Sequence, residues 1–260
     1  MNNIVGYTKL LLLILVITYN PAIVSAENSE VYSWVTPTWK GYTEEDNTGL
    51  YSELINAIAK IENIVIIKQI APWERSLKMV NSGRAEMTGA LYYSDVRNQS
   101  KYPVSESDEG ILYKAEALHN IEGVDALKKY NGVWVNGFFS YSFRQNKYIL
   151  KGVGVLTRKQ AMQMLLTDNR EIDYYFDSRE QIIQVAEQLN INIDSKDLYF
   201  KNFSKVPLYM TFSNTSKGKI LKSFFDSGIE QLFCQNKLNA IYEKWHKTPP
   251  TIYITCEQHN

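Results

Sequence analysis

Cysteine and histidine are scarce in this chain. Two cysteines and three histidines stand among 260 residues. Two thiols are too few for a disulfide scaffold or a cysteine-built zinc module. His119, His246 and His259 are scattered, with no pair at metal-ligand spacing, so no metal site is expected. An excess of either charge is also missing, because 28 Lys plus Arg balance 28 Asp plus Glu. A protein held on nucleic acid by phosphate contacts needs a basic face, so that class is set aside. There is no Gly-x-Ser-x-Gly elbow, no P-loop and no Rossmann glycine fingerprint. Carboxylates are plentiful, but no two stand out as an acid–base couple, and Glu171 and Asp173 read as the polar edge of a strand. Nothing marks an enzyme, and no cofactor is expected. Long apolar runs are absent too. Leu10 to Ile17 is the longest at the N-terminus, far short of the roughly 20 residues needed to cross a bilayer.

That run belongs to an export pattern. Lys9 precedes it, Pro21 breaks any helix after it, and Val24-Ser25-Ala26 supplies small residues ahead of Glu27. A basic start, a short apolar stretch and a small-residue exit read as a secretory signal over 1–26, cleaved after Ala26. An uncleaved N-terminal anchor is the rival reading. The expected location is the periplasm. In an oxidising compartment Cys234 and Cys256 can form one bridge, tying the C-terminal tail to the helix that carries Cys234, or remain two unpaired thiols.

Beyond residue 27, strand and helix periods alternate. Val31 to Val35 reads as a strand, and Tyr51, Leu54, Ile55, Ile58 and Ala59 recur at helical spacing. Ile64 to Ile70 is β-branched and reads as a buried strand. A helix over Glu74 to Val80, a strand over Met87 to Tyr93 and a strand-like stretch from Gly110 to Leu118 complete a first series. A second series has strands at Val133 to Val135, Ile172 to Phe176 and Leu208 to Phe212. Its helices are a helical spacing through Ile149, then Arg158 to Leu166 and Ser178 to Leu189. Ser178 is an N-cap there, with Gln181 at the capping-box position. Two helices, about 216–233 and 237–246, close the chain. The alternation predicts an α/β fold with largely parallel sheets.

Four stretches carry a resemblance to a known family. They are Pro72-Trp73-Glu74-Arg75-Ser76-Leu77 with Ser82-Gly83-Arg84-Ala85-Glu86; Gly89 to Arg97 with Tyr102-Pro103-Val104-Ser105; Arg170 to Asp177; and Pro207 to Ser213 leading to Ile241-Tyr242-Glu243-Lys244-Trp245. In this order, they resemble the bacterial extracellular solute-binding proteins of family 3, the type II periplasmic binding proteins of polar amino-acid ABC transporters. The resemblance implies two α/β lobes around a ligand cleft. Lobe I would comprise 27–112 and 210–260, and lobe II 118–204. A hinge of two crossings would lie at 113–117 and 205–209.

It also implies site residues. Arg97 stands where the family clamps a ligand carboxylate, a task suited to a guanidinium's two parallel donors. Asp177 stands where the family receives the ligand ammonium; capping the helix after it is the alternative role. Ser94 keeps a hydroxyl near Arg97. Two departures matter: Tyr92 replaces a small hydroxyl residue, and the loop after the first strand is Pro37-Thr38-Trp39, with Tyr42 beyond, rather than Pro-Tyr or Pro-Phe. Trp39, Trp73 and Tyr92 would form an aromatic wall. Gly137, before Phe138-Phe139-Ser140, opens a lobe II helix whose free N–H groups could meet an anion. The expected function is capture of a small polar solute, an amino acid or related carboxylate, by a monomer that serves an inner-membrane ABC permease. A membrane receptor as the partner, and a small-acid dehydratase on the same scaffold, are the alternatives.

Overall fold

A computed structural model describes residues 30–114, 118–136, 150–167, 171–193 and 197–256. The expected signal peptide, Gly137, Arg170 and the helical spacing through Ile149 lie outside the described residues.

The strands are β1 (Val31–Thr36), β2 (Val65–Ile70), β3 (Met87–Tyr92), β4 (Asn98–Gln99), β5 (Ser105–Tyr113), β6 (Asn131–Val135), β7 (Lys151–Val155), β8 (Tyr174–Ser178) and β9 (Tyr199–Phe212). The helices are α1 (Leu50–Ile61), α2 (Trp73–Asn81), α3 (Arg158–Leu166), α4 (Arg179–Gln188), α5 (Ser216–Cys234) and α6 (Leu238–Lys244). The strands join in one sheet, ordered β2-β1-β3-β9-β5-β8-β6-β7, with β4 on β9. Pairing is parallel at its two ends, among β1, β2 and β3 and among β6, β7 and β8. It is antiparallel in the middle, where β9 meets β3 and β5, and β5 meets β8. The two strand–helix series therefore share one sheet, stitched together by β5 and β9.

Burial divides that sheet into two lobes. One core gathers Tyr32, Trp34, Leu54, Ile58, Met87, Val104, Met210, Phe225 and Tyr242. Two further clusters take residues between 111 and 203, one around Ile111, Leu127, Tyr174 and Phe176, the other around Leu112, Val133, Met162, Tyr175 and Ile182. Val104 packs in the first core, and Ile111 and Leu112 pack in the others. Between Val104 and Ile111, therefore, the buried side chains change from the first core to the others. The chain returns between Phe203, which packs on the second cluster, and Val206, which packs on the first core. The chain thus has the α/β two-lobe fold of the periplasmic-binding-protein-like II class, with β5 and β9 as its crossings.

Three local readings change. β2 pairs only with β1, so it is a sheet edge, not a buried strand; Val65 is 44% and Ile67 57% exposed. β9 begins at Tyr199, well before Leu208. Its first half carries Lys201, Asn202, Ser204 and Lys205, and a half-open crossing strand lacks the apolar alternation that marks a sheet face. Helix α4 starts as read: the Ser178 hydroxyl accepts the Gln181 N–H. A reciprocal capping box forms instead at Thr157 and Gln160, which fixes the start of α3 and hence Arg158 at its first turn.

Cys234 and Cys256 form a disulfide, at the end of α5 and on the tail after α6. Closing a loop of this size is worth about 3 kcal/mol in the chain-entropy model. The Cys234→Ser/Cys256→Ser double variant is therefore expected to melt roughly 6–12 °C lower than wild type. Equal melting of oxidised wild type and the double variant would refute a stabilising role.

Candidate functional site

Two lobes joined by two strands leave a cleft, and the residues along it come from both. The loop after β1 turns back on itself: Trp39 and Thr43 form a β-bridge, and Trp39 accepts the amides of Tyr42 and Thr43. This seats the Trp39 ring 4.9 Å from that of Tyr42 and 5.9 Å from that of Tyr51. Trp73 opens α2 directly behind Pro72, whose fixed φ suits a helix start. Tyr92 ends β3. The three aromatics share one chamber with Pro37, Thr38, Ala90 and Leu91 of lobe I, Ser107 and Leu208 of the crossings, and Val135, Arg158 and Ser178 of lobe II. Its free volume is about 50 Å³. A second, more polar chamber of about 320 Å³ includes Tyr42, Ser105, Asp108, Arg179, Glu180, Lys205 and Lys247. Trp39, Ser107, Ser178 and Leu208 line both. Taken together, the chambers reach the lower end of the size usual for small-molecule sites.

Ion pairs link the lobes beside the cleft. Lys40, next to Trp39, reaches Glu187 of α4 at 3.0 Å. Lys247, after α6, binds Glu180 of α4 and lies 4.6 Å over the Tyr42 ring. Burial, with Glu180 beside it, pushes the Tyr42 phenol well up.

Two lining residues of the aromatic chamber, Tyr92 and Arg158, each bond a buried acid. Asp177 of β8 is fully buried. Its Oδ2 accepts from Arg158 Nε at 3.0 Å and from the Tyr175 hydroxyl at 2.6 Å, and its Oδ1 accepts the Ser178 N–H at 2.8 Å. Glu109 of β5 is 4% exposed and accepts the Tyr92 hydroxyl. Burial first, and the Asp177 carboxylate second, push the Glu109 carboxyl up to about 8. It is thus mostly neutral at pH 7.

The structure brings together Trp39, Trp73 and Tyr92, as an aromatic wall requires. It does not bring Arg97 to them. Arg97 lines a separate cavity of about 230 Å³ with Val80, Asn81, Val96, Asn98, Thr211, Phe212 and Asn214. Ser94 is buried, and its amide donates to Gln99 Oε1 at 2.7 Å; it lines neither chamber. Asp177 caps no helix, since Ser178 does that, and its carboxylate is already held by Arg158 and Tyr175 rather than open to an ammonium. Arg97 and Asp177 thus stand in different surroundings, the one lining its own cavity and the other paired with Arg158. Arg158, at the first turn of α3, holds Asp177 at 3.0 Å. Arg158 and Glu109 carried no sequence signal. Arg158 read as a helix start, and Glu109 fell just outside the strand-like stretch read from Gly110.

No protein-family model and no curated protein matches the sequence. Solved structures do match in shape. A histidine kinase sensor domain described as similar to periplasmic binding proteins matches at a TM-score of 0.66 and 15% identity, over 84% of this chain and 96% of that one. A structure concerned with glutathione import via GshT and the cystine ABC importer of Streptococcus mutans matches at 0.65 and 12%, over 86% and 98%. An ancestral amino-acid-binding protein, described as a precursor of cyclohexadienyl dehydratase, matches at 0.61 and 16%, over 84% and 96%. No helix among the described residues is long and apolar enough to cross a membrane. The chain has the fold of the type II periplasmic binding proteins, the fold of the extracellular solute-binding proteins of family 3 that its sequence resembles.

Proposed function

We propose that this chain is an exported solute-binding protein that captures a small polar solute, an amino acid or related carboxylate, by closing two lobes on it. The observation that carries this reading is the aromatic chamber, whose walls come from both lobes and from the strands β5 and β9 that join them. A site built this way exists in full only when the lobes meet, so a ligand that touches both favours the closed state. The ion pairs of Lys40 and Lys247 with α4 add interlobe contacts that opening would break, the Lys40 pair worth little because it is exposed to water. Delivery to an inner-membrane ABC permease, by a monomer in the periplasm, is the partner reading that accords with the export pattern of residues 1–26. A membrane receptor as partner is told apart by neighbouring genes, where a permease and an ATPase favour transport.

An enzyme on this scaffold would need a proton donor facing the cleft. Glu109, whose carboxyl is pushed up to about 8 by burial, lines neither chamber. We therefore favour binding over turnover.

Binding to the native state alone must raise the melting temperature. At a hundredfold excess over Kd the gain is about 2.7 kcal/mol, or several degrees for a domain of this size. A thermal-shift panel of amino acids and small carboxylates is expected to contain at least one such ligand. Mass spectrometry of the small molecules released on denaturation is expected to find the natural one. No shift and no released molecule would refute the reading.

A further inference from the structure

We infer that the aromatic chamber is a carboxylate seat built from hydrogen-bond donors, with Arg158 as its anchor and the indole N–H groups of Trp39 and Trp73 beside it. The inference rests on the solute-binding reading and names which end of the solute enters first.

Three observations converge on one chamber. The first is Arg158. Its Nε is taken by Asp177, which fixes the plane of the guanidinium, and its side chain remains 34% exposed on the chamber wall. The two terminal nitrogens have no hydrogen-bond partner among the described residues. An arginine held at Nε by a buried acid presents a pre-set pair of donors, so little freedom is lost on binding. The second and third are Trp39 Nε1 and Trp73 Nε1. Each nitrogen is buried, and neither has a hydrogen-bond partner among the described residues. Buried donors without acceptors are rare, because each forfeits its hydration without return. Indole and guanidinium groups can only donate. The group that completes this chamber must therefore supply acceptors.

The charges agree. Asp177, next to the lining residue Ser178, already holds Arg158, Tyr175 and the Ser178 amide. Glu109 accepts from Tyr92 and lines no chamber. No carboxylate is left on this wall to receive an ammonium. Pro37, Ala90, Leu91, Val135 and Leu208 make the remaining walls apolar and suit a carboxylate with a compact apolar body. A longer solute would continue past Trp39 and Ser107 into the polar chamber.

The test compares three probes of one shape: benzoate, benzamide and benzylamine, titrated against the full protein by calorimetry and tryptophan fluorescence. Benzoate is expected to bind saturably and to perturb the emission of the tryptophans. Benzamide should bind at least tenfold more weakly and benzylamine not measurably. Arg158→Lys, which keeps the charge against Asp177 but loses the fork, should weaken benzoate at least tenfold. Trp73→Phe, which keeps a ring and loses the N–H, should weaken it severalfold. Each variant's melting temperature without ligand separates a lost seat from a lost fold. Should Arg158→Lys unfold, the Arg158→Gln/Asp177→Asn pair removes both charges together and should show the same loss. Equal binding of benzoate and benzamide, unchanged binding in Arg158→Lys, or a larger loss from Arg97→Ala than from Arg158→Lys would overturn the inference. So would failure of the whole series. If a small molecule is still released on denaturation, the solute-binding reading stands without this seat. If none is released and no panel ligand shifts the melt, both fall.

Discussion

Above pH 8, Glu109→Gln is expected to be more stable than the wild type, and its stability should lose most of its dependence on pH between 5 and 9. The folded protein holds the Glu109 carboxyl up at about 8, through burial first and the neighbouring Asp177 second; an ordinary glutamate in the unfolded chain titrates near 4.3. Between those values the folded state binds more protons than the unfolded one. Stability from this group is therefore complete below the unfolded value and declines as pH rises through the folded one. Each pH unit of that window corresponds to about 1.4 kcal/mol, so the loss by pH 8 amounts to a few kcal/mol. The groups around it are the Tyr92 hydroxyl from β3, Asp177 and Ser178 from β8, Ser204 opposite on β9, and Arg158 of α3 through its bond to Asp177. A glutamine keeps an oxygen to accept from Tyr92 and never ionises. Urea unfolding at pH 5, 7 and 9 reads the difference. An unchanged slope in the variant would show that Glu109 does not titrate in this window.

Gly110→Ala is expected to cost at least about 3 kcal/mol, or to prevent folding, although alanine suits a strand better than glycine. Gly110 sits on β5 at the step where the β5–β9 register shifts. A Cβ built there would stand 2.1 Å from the Lys201 carbonyl oxygen and 2.8 Å from the Phe200 ring. The ring could turn away, but the carbonyl belongs to the partner strand. Relief would require β5 and β9 to separate at the crossing, where they are also the structural link between lobes. Soluble yield, circular dichroism and urea unfolding would measure the loss. A variant as stable as wild type would mean that the crossing gives way easily at this point.

Much of the fold was legible because local chemistry agrees with the final packing. The apolar spacing of α1 puts Leu54, Ile55 and Ile58 into the first core, and the Ser178 hydroxyl begins α4 where its pattern starts. Readings failed where neighbours rather than local pattern set the environment. Ile64 to Ile70 is apolar enough for a buried strand, yet β2 has a partner on only one side. The polar first half of β9 is a strand because β5 lies beside it. The site divided in the same way. Trp39, Trp73 and Tyr92 were singled out through the family resemblance, and their rings line one chamber. Arg158 and Glu109 were not, because their meaning depends on partners far along the chain. Asp177 follows Arg158 by 19 residues and Glu109 follows Tyr92 by 17.

The sequence alone determined the alternation of strands and helices, which follows from side-chain periodicity and residue type acting over a few neighbouring positions. Its four motifs, in order, carried the resemblance to a two-lobe binding fold. Tertiary structure decided which charge faces the cleft. A guanidinium reaches whatever acid the fold places within about 3 Å of it, and here α3 sets Arg158 against Asp177 while Arg97 lines a cavity of its own.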